Sequence, residues 1–166
     1  MEIIFYIIFS LVLLSLCGFV AYNTYKNIPK NTISFQEGIN LTQLPIVTFY
    51  CGKKKLNLLL DSGATACVID SRVLKKLNVE DFTLTDYQEQ VWGMEGKPVD
   101  CDIVNMCITY SNLKFSEDFI VNDLSEAFDK IKEESGVKLH GIIGNIFFSK
   151  HKYVLDFDKM IFYNKK

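Results

Sequence analysis

The chain has 166 residues and a formal net charge of −2, a length that fits one domain or one domain with an appendage. Apolar residues make up 49% of the sequence and aromatic residues 13%, which is ample for a hydrophobic core. No basic stripe interleaved with aromatic residues occurs, so the composition argues against a nucleic-acid partner.

The N-terminal segment from Ile3 to Tyr22 carries no charged residue and consists mainly of Ile, Leu, Phe and Val. About twenty apolar residues suffice to cross a bilayer as a helix, so we predict a transmembrane anchor over residues 1–22. A cleaved signal peptide is the alternative. It would need a positive n-region, a shorter apolar core and a small-residue cleavage site, whereas only Met1 and Glu2 precede this segment.

The flanks of this segment predict its orientation. Lys26 and Lys30 follow the apolar run, and basic residues close to a span favour the cytoplasmic side. We therefore expect a single-pass membrane protein with a cytoplasmic C-terminal domain. Residues 23–41 are polar and contain Pro29 and Gly38, which predicts a tether that leaves residues 42–166 as the folded domain.

The most informative stretch is the end of an apolar run at Asp61. Leu58 to Leu60 precede it and Ser62, Gly63 and Ala64 follow, which is typical of a buried strand that ends in a turn. An ionised carboxylate beside a buried strand is costly unless it is paired, and the small residues after it leave room for other backbone. An aspartate that merely bonds to its own turn is the alternative.

A second signal lies downstream. Gly141-Ile142-Ile143-Gly144 is a short apolar strand bounded by glycines and followed by a short helix from Asn145 to Lys150. Asp61-Ser62-Gly63-Ala64 together with this strand resembles the retropepsin-like aspartic protease family, in its bacterial type. The tail from Phe148 to Asp158 resembles the end of that domain. The resemblance covers roughly residues 46–163.

The remaining pattern is compatible with that resemblance. Strands are predicted at Pro45–Tyr50, before Asp61, at Leu113–Val121, at Lys138–Ile143 and in a closing hairpin after Tyr153. Asp70 or Ser71 caps one short helix, and Asp123 with Glu126 caps another that ends near Gly136. The predicted fold class is mostly β: a small closed β-barrel of the retropepsin-like acid protease type with two or three short helices, preceded by one transmembrane helix.

Between these elements, Tyr87–Trp92 and Lys97–Tyr110 predict two strands joined by a glycine-flanked turn. The resemblance implies that this hairpin is the flap that closes over bound peptide. The flap residues would be Trp92, Gly93, Met94 and Gly96. An ordinary edge hairpin is the alternative.

The resemblance also implies a mechanism. Carboxylate catalysis of this kind needs two aspartates that share a proton, and the chain has a single Asp-Ser-Gly. We therefore expect a homodimeric endopeptidase in which Asp61 is catalytic and the substrate is a peptide or protein. The loop would be supported by Ser62, Gly63, Ala64, Ile142, Ile143 and Gly144. Membrane tethering would help two copies meet.

Other chemistries find less support in the sequence. His140 and His151 lie far from any cysteine at zinc-ligand spacing, so no metal and no cofactor is expected. A catalytically inactive, membrane-tethered β-barrel that binds extended peptides by strand addition is the second hypothesis. Two disulfides and free buried thiols are both compatible with the even set Cys51, Cys67, Cys101 and Cys107.

Overall fold

The computed structural model describes residues 2–26, 29, 31–92 and 98–164. The helices are α1 (Glu2–Lys26), α2 (Gln36–Thr42), α3 (Ser71–Leu74), α4 (Ser125–Ser135) and α5 (Asn145–His151). The strands are β1 (Ile33–Ser34), β2 (Ile46–Cys51), β3 (Lys54–Leu60), β4 (Cys67–Asp70), β5 (Phe82–Trp92), β6 (Pro98–Tyr110), β7 (Leu113–Asn122), β8 (Gly141–Ile143), β9 (Tyr153–Asp156) and β10 (Ile161–Asn164). A single 3₁₀ turn, Val79–Asp81, precedes β5.

Seven strands form the main sheet in the order β2-β3-β8-β4-β7-β6-β5. Consecutive antiparallel hairpins supply β2–β3, β5–β6 and β6–β7. In the middle of the sheet, β8 runs parallel to β3 and antiparallel to β4, and β4 runs parallel to β7. β8, which is distant in sequence, thus lies between β3 and β4, and this arrangement positions the Asp61 loop.

The sheet curves back on itself between its first and sixth strands. Tyr50 of β2 pairs with Thr109 of β6, and this is the only ladder pair between those strands in the part of the chain that the structure describes. The mostly β fold class is thus confirmed. One residue pair joins β2 to β6, whereas a closed barrel would have a continuous ladder of pairs at this point.

The main core fills the space inside the curved sheet. Its largest fully buried side chains come from three strands, from α5 and from the residue before α2: Phe49, Phe119, Phe162, Phe147 and Phe35. The Phe147 ring of α5 packs against the closing hairpin. Rings of Phe115 and Tyr153 lie 5.0 and 6.0 Å, respectively, from that of Phe147, so α5 is anchored on its apolar face by aromatic packing.

The predicted tether is corrected by the structure. Within residues 23–41, β1 pairs with β10 to extend the closing hairpin into a three-stranded sheet. Ile33 and Phe35 are fully buried in the main core, and Gly38 of α2 lies so close to Ile46 that a Cβ would stand 2.5 Å from its carbonyl oxygen. The domain therefore begins near residue 31, because these apolar side chains are buried in its core.

The other helices and strands follow the prediction with shifted ends, but the predicted capping box of Asp123 and Glu126 is not formed. The N-cap of α4 is Leu124 without a side-chain cap, and Asp123 accepts a hydrogen bond from the Ser125 N–H at 2.9 Å instead. Asp70 caps α3 through a hydrogen bond from the Arg72 N–H at 2.8 Å, and α4 ends at Gly136 in the left-handed conformation. The strand expected from Lys138 begins at Gly141 instead. The helix count was too low, since α2 was not expected.

The N-terminal helix α1 exposes apolar side chains such as Leu14, Leu16 and Phe19. Measured by length and hydropathy over the described residues, no helix qualifies as a membrane span. The predicted transmembrane helix is not confirmed.

Candidate active site

Asp61 is the first residue after β3, and its main chain is fixed by a neighbouring strand. Leu58, Leu59 and Leu60 pair in parallel with Gly141, Ile142 and Ile143. The Asp61 N–H then donates to the Ile143 carbonyl oxygen at 3.0 Å, which continues the parallel ladder by one step. The loop therefore starts from a rigid point where two buried strands end together.

The Asp61 carboxylate lies in a tight turn and is half-buried. The Asp61 Oδ1 accepts a hydrogen bond from the Gly63 N–H at 2.8 Å, and the main-chain carbonyl oxygen of Asp61 accepts one from the Ala64 N–H at 3.2 Å. Among the described residues, Oδ2 has no hydrogen-bond partner. One oxygen is therefore oriented by the backbone, and the other is available to a water, a substrate or a second carboxyl group.

The far side of the loop rests on the start of α5. The Asn145 N–H donates to the Ala64 carbonyl oxygen at 2.7 Å, and the Ile146 N–H donates to the Thr65 carbonyl oxygen at 3.2 Å. These bonds satisfy amide groups in the first turn of α5 that have no partner within the helix. The loop is thereby held at both ends, by β8 and by α5.

Gly144 is the residue that permits this close approach. A Cβ at Gly144 would lie 2.1 Å from the Ala66 carbonyl oxygen and 2.9 Å from that of Ala64. Both contacts are with backbone, which cannot turn away as a side chain can. Sequence reasoning placed Gly144 in the supporting strand, and the structure gives the steric reason for a glycine there.

The predicted support residues separate into two groups. Ile143 and Gly144 are buried beneath the loop, and Ile142 is half-buried on β8. Ser62 and Gly63 are exposed in the single chain, and Ala64 is half-buried. The exposed pair forms the outer tip of the loop.

The β5–β6 hairpin stands beside this loop. Cys101 and Ile103 of β6 form a small buried cluster with Ile120 of β7, and Ala66 packs against it. The root of the hairpin is thus joined to the residue that ends the Asp61 loop. The hairpin ladder continues outward to the pair Trp92–Pro98.

The predicted flap tip cannot be compared with the structure. Gly93, Met94 and Gly96 lie outside the described residues, as does the side chain of Trp92. The flap assignment therefore stays a prediction from the sequence.

Sequence reasoning missed an irregularity in the hairpin. The register shifts between Leu84 and Gln88, and the Thr85 hydroxyl bridges the shift by donating to the Ile103 or Tyr87 carbonyl oxygen, at 3.0 and 3.1 Å. A bulge of this kind bends a strand and increases its twist. The run Thr83-Leu84-Thr85-Asp86 carries no glycine, so the sequence lacks the residue that most often marks a bulge within a strand.

Thiol chemistry is not favoured near Asp61. Burial raises the pKa of Cys67, on β4, to about 11, so its thiol stays protonated at neutral pH and is a poor nucleophile. In the described ranges of the chain, no group of three or more His, Cys, Asp or Glu side chains is placed to hold a metal ion.

The cysteines are free thiols in the structure. Cys51, Cys67 and Cys101 are buried and Cys107 is half-buried. Burial also raises the pKa of Cys51 to about 11. Of the two alternatives left open by the sequence, the free-thiol arrangement is the one observed, in which cysteine packs as a small apolar residue.

No protein-family model and no curated protein sequence matches the chain. Among solved structures, it is similar to EIAV protease complexed with the inhibitor HBY-793, with a TM-score of 0.48, 19% identity, and coverage of 67% of this chain and 90% of that one. It is also similar to the retroviral protease-like domain of Ddi1 from Leishmania major, with a TM-score of 0.45, 11% identity, and coverage of 68% and 81%. Both TM-scores are below 0.5, so these likenesses do not establish a family.

Proposed function

We propose that the chain is a retropepsin-like aspartic endopeptidase that works as a homodimer, with one Asp61 from each copy in a shared site. The observation that carries this proposal is the hydrogen-bonded Asp61 loop. Its main chain is tied to Ile143 and to α5, while its carboxylate keeps one oxygen without a partner among the described residues. The bond from Gly63 is one that a purely structural turn aspartate also makes, so the proposal rests on the ties to Ile143 and α5 and on the oxygen that has no partner among the described residues.

The chemistry follows from bringing two such carboxyl groups together. Two like charges about 3 Å apart cannot both ionise, so the pair holds one proton. The ionised carboxylate accepts a proton from a bound water, whose oxygen attacks the carbonyl carbon of the peptide bond. The protonated carboxyl donates to the carbonyl oxygen, and a proton then passes to the leaving nitrogen as the C–N bond breaks.

Exposure of the loop tip supports the dimer. Ser62 and Gly63 are exposed, so two loops can approach along a two-fold axis without unfolding either chain. In this arrangement the Ser62 hydroxyl of each copy bonds to the partner loop and keeps the two carboxyl groups aligned. Gly63 leaves the space that substrate backbone needs.

The proposed substrate is an extended peptide or protein segment. The β5–β6 hairpin is joined at its root to Ala66, and β5 is the outer strand of the main sheet. An extended chain between the hairpin and the Asp61 loop would have backbone donors and acceptors on the hairpin side. The hairpin would thus hold the substrate and exclude water during the reaction.

Membrane attachment, with the domain on the cytoplasmic side, is a separate part of the proposal. It rests on the uncharged sequence from Ile3 to Tyr22, on the lysines that follow it, and on the exposed apolar side chains of α1. The test is fractionation of cells that produce the full chain. Retention in the membrane pellet after carbonate extraction supports attachment, and a soluble full-length chain contradicts it.

The test of the activity is cleavage of a peptide library by the full chain, with products identified by mass spectrometry. Asp61→Asn should abolish cleavage because it removes the ionisable pair. Asp158→Asn, at an exposed carboxylate in the turn between β9 and β10, is the matched control and should cleave like the wild type. Equal cleavage by Asp61→Asn and the wild type would overturn the proposal.

A further inference from the structure

A concave site lies at the end of β3, β8 and β4 that is opposite the Asp61 loop. It is a cavity of about 210 Å³ between the β2–β3 hairpin, the end of β4, α3 and the segment before β8. Six of the side chains that line it are basic: Lys54, Lys55, Arg72, Lys76, Lys138 and His140.

This cavity is separate from the Asp61 loop. Two of its lining residues, Asp70 and His140, are joined there by a main-chain hydrogen bond from the Asp70 N–H to the His140 carbonyl oxygen at 2.9 Å. The His140 N–H in turn donates to the Asn57 carbonyl oxygen, also at 2.9 Å. Asn57 precedes Asp61 by four positions on the same strand, which is a distance of roughly 13 Å. The two sites therefore face different ends of β3 and β8.

The cavity holds an excess of positive charge. Among the described residues, Asp70 is the only carboxylate that lines it, and this carboxylate is already paired. Its Oδ2 accepts hydrogen bonds from Nη2 and Nε of Arg72 at 2.7 and 3.0 Å, while Nη1 of Arg72 bonds to Asp129. The aspartate therefore leaves the charge of the surrounding lysines unbalanced.

The four lysines of the lining are not paired in this way within the described residues. In the described part of the chain, no salt bridge joins Lys54, Lys55, Lys76 or Lys138 to a carboxylate. Lys138 is half-buried, and its pKa is lowered first by burial and then by the positive charge of Lys76. Two ammonium groups so placed repel one another, and the repulsion ends when an anion binds between them.

His140 contributes an imidazole to the cavity lining. Its Nδ1 accepts a hydrogen bond from the Asn57 N–H at 3.0 Å, which fixes the neutral ring with its proton on Nε2. Burial lowers the pKa of His140, so the neutral tautomer is the form present at neutral pH. A neutral N–H donor together with ammonium groups matches an acceptor-rich anion.

We propose that this cavity binds a phosphate group carried as a phosphomonoester or diphosphate. Such a group is compact and multiply charged, and it offers an oxygen acceptor to each lysine. Carboxylate ligands carry less charge per oxygen and would leave most of the ammonium groups unpaired. Leu56 and Val73, which are buried beside the cavity, leave an apolar wall for the part of the ligand next to the phosphate.

The test is calorimetric titration of the wild-type full chain with inorganic pyrophosphate at neutral pH. Lys76→Gln and Lys138→Gln should each weaken binding about tenfold or more, because each removes a charge-assisted hydrogen bond. Lys75→Gln is the matched control, since Lys75 is adjacent, exposed and outside the cavity lining. Because Lys76 is exposed, Lys76→Gln keeps the test valid if Lys138→Gln fails to fold.

Two further arms separate the sources of the phosphate. Tighter binding to vesicles that contain a phosphorylated inositol lipid than to phosphatidylcholine vesicles, with the difference lost in Lys76→Gln, identifies a lipid headgroup. Pyrophosphate binding with equal affinity for the two kinds of vesicle identifies a soluble ligand. No heat of binding with pyrophosphate, or an equal loss in Lys75→Gln and Lys76→Gln, overturns the proposal. Asp61→Asn should bind pyrophosphate like the wild type, so this result is independent of peptidase activity.

Discussion

The Asp61 N–H donates to the Ile143 carbonyl oxygen at 3.0 Å, and this bond joins the candidate catalytic residue to a strand far along the sequence. The position of the carboxylate is therefore set by how β8 packs between β3 and β4. Any change that displaces β8 or the start of α5 should act on the site without touching Asp61 itself.

Gly144→Ala is the sharpest test of that dependence. The new methyl group would stand 2.1 Å from the Ala66 carbonyl oxygen, so either β8 or the Asp61 loop must move. We expect a loss of about 3 kcal/mol in the free energy of unfolding, as for severe overpacking, together with a loss of peptide cleavage. Urea denaturation and the library assay measure the two effects.

Gly136→Asn provides the comparison for Gly144→Ala. Gly136 has a φ of +74°, and a Cβ added to it would meet no atom within 4 Å. Asparagine tolerates this backbone conformation after a helix. The free energy of unfolding should therefore change by less than about 1 kcal/mol. Equal stability losses in the two variants would mean that the close contact at Gly144 is not the cause.

The Asp61 loop was predictable from sequence because its signals are local. Each signal spans only a few residues: one apolar run is followed by the carboxylate of Asp61, and another ends at Gly144. β1 and α2 were missed because Ile33 and Phe35 stand in a short polar segment, and their burial depends on pairing with β10. The basic cavity was missed for the same reason, since its lysines come from separate segments that only the fold brings together.

A buried carboxylate away from the proposed site provides the second prediction. Glu117 is 2% exposed. It contacts Nε2 of His151 and lies 3.0 Å from Nζ of Lys150. Glu117→Gln keeps the shape but removes the charge, and the Lys150 ammonium group and the His151 ring that lose this partner are partly exposed and can be hydrated. We expect the free energy of unfolding to fall by about 1–3 kcal/mol, measured by urea denaturation.

Glu126→Gln is the control for Glu117→Gln. Glu126 pairs with Lys130 at 3.6 Å on the exposed face of α4, where ion pairs contribute about 0.5 kcal/mol or less. A loss at Glu117 no larger than the loss at Glu126 would show that the buried contact does not stabilise the domain.

The third prediction concerns acid pH and His140. Burial is the main cause that lowers the pKa of His140 below its ordinary value of 6.5, and the charge of Lys138 adds to it. The His140 ring therefore binds a proton more readily in the unfolded chain than in the folded chain. The contribution to stability is complete above pH 6.5 and is lost as the pH falls from 6.5 towards the folded pKa.

His140→Gln removes this titration. Between about pH 7.5 and 5.5, the free energy of unfolding of the His140→Gln variant should change less than that of the protein that keeps His140. Both proteins should carry Asp61→Asn, so that the proposed carboxyl pair does not contribute to the difference. Parallel pH profiles for the two proteins would show that His140 does not couple folding to protonation.

The last prediction joins pH to assembly, because each chain supplies one Asp61 to the proposed site. When the pH rises and the shared proton leaves, two negative charges face each other, so cleavage and dimerisation should both weaken. Asp61→Asn removes the repulsion and keeps the hydrogen-bonding capacity. It should therefore abolish cleavage and yet dimerise more tightly than the wild type at neutral pH. Sedimentation of both proteins at a series of pH values from about 5 to 8 measures this. Asp158→Asn should follow the wild type at each pH. If the wild type and Asp61→Asn dimerise equally at every pH, the two carboxyl groups do not face each other, and the shared-proton mechanism fails.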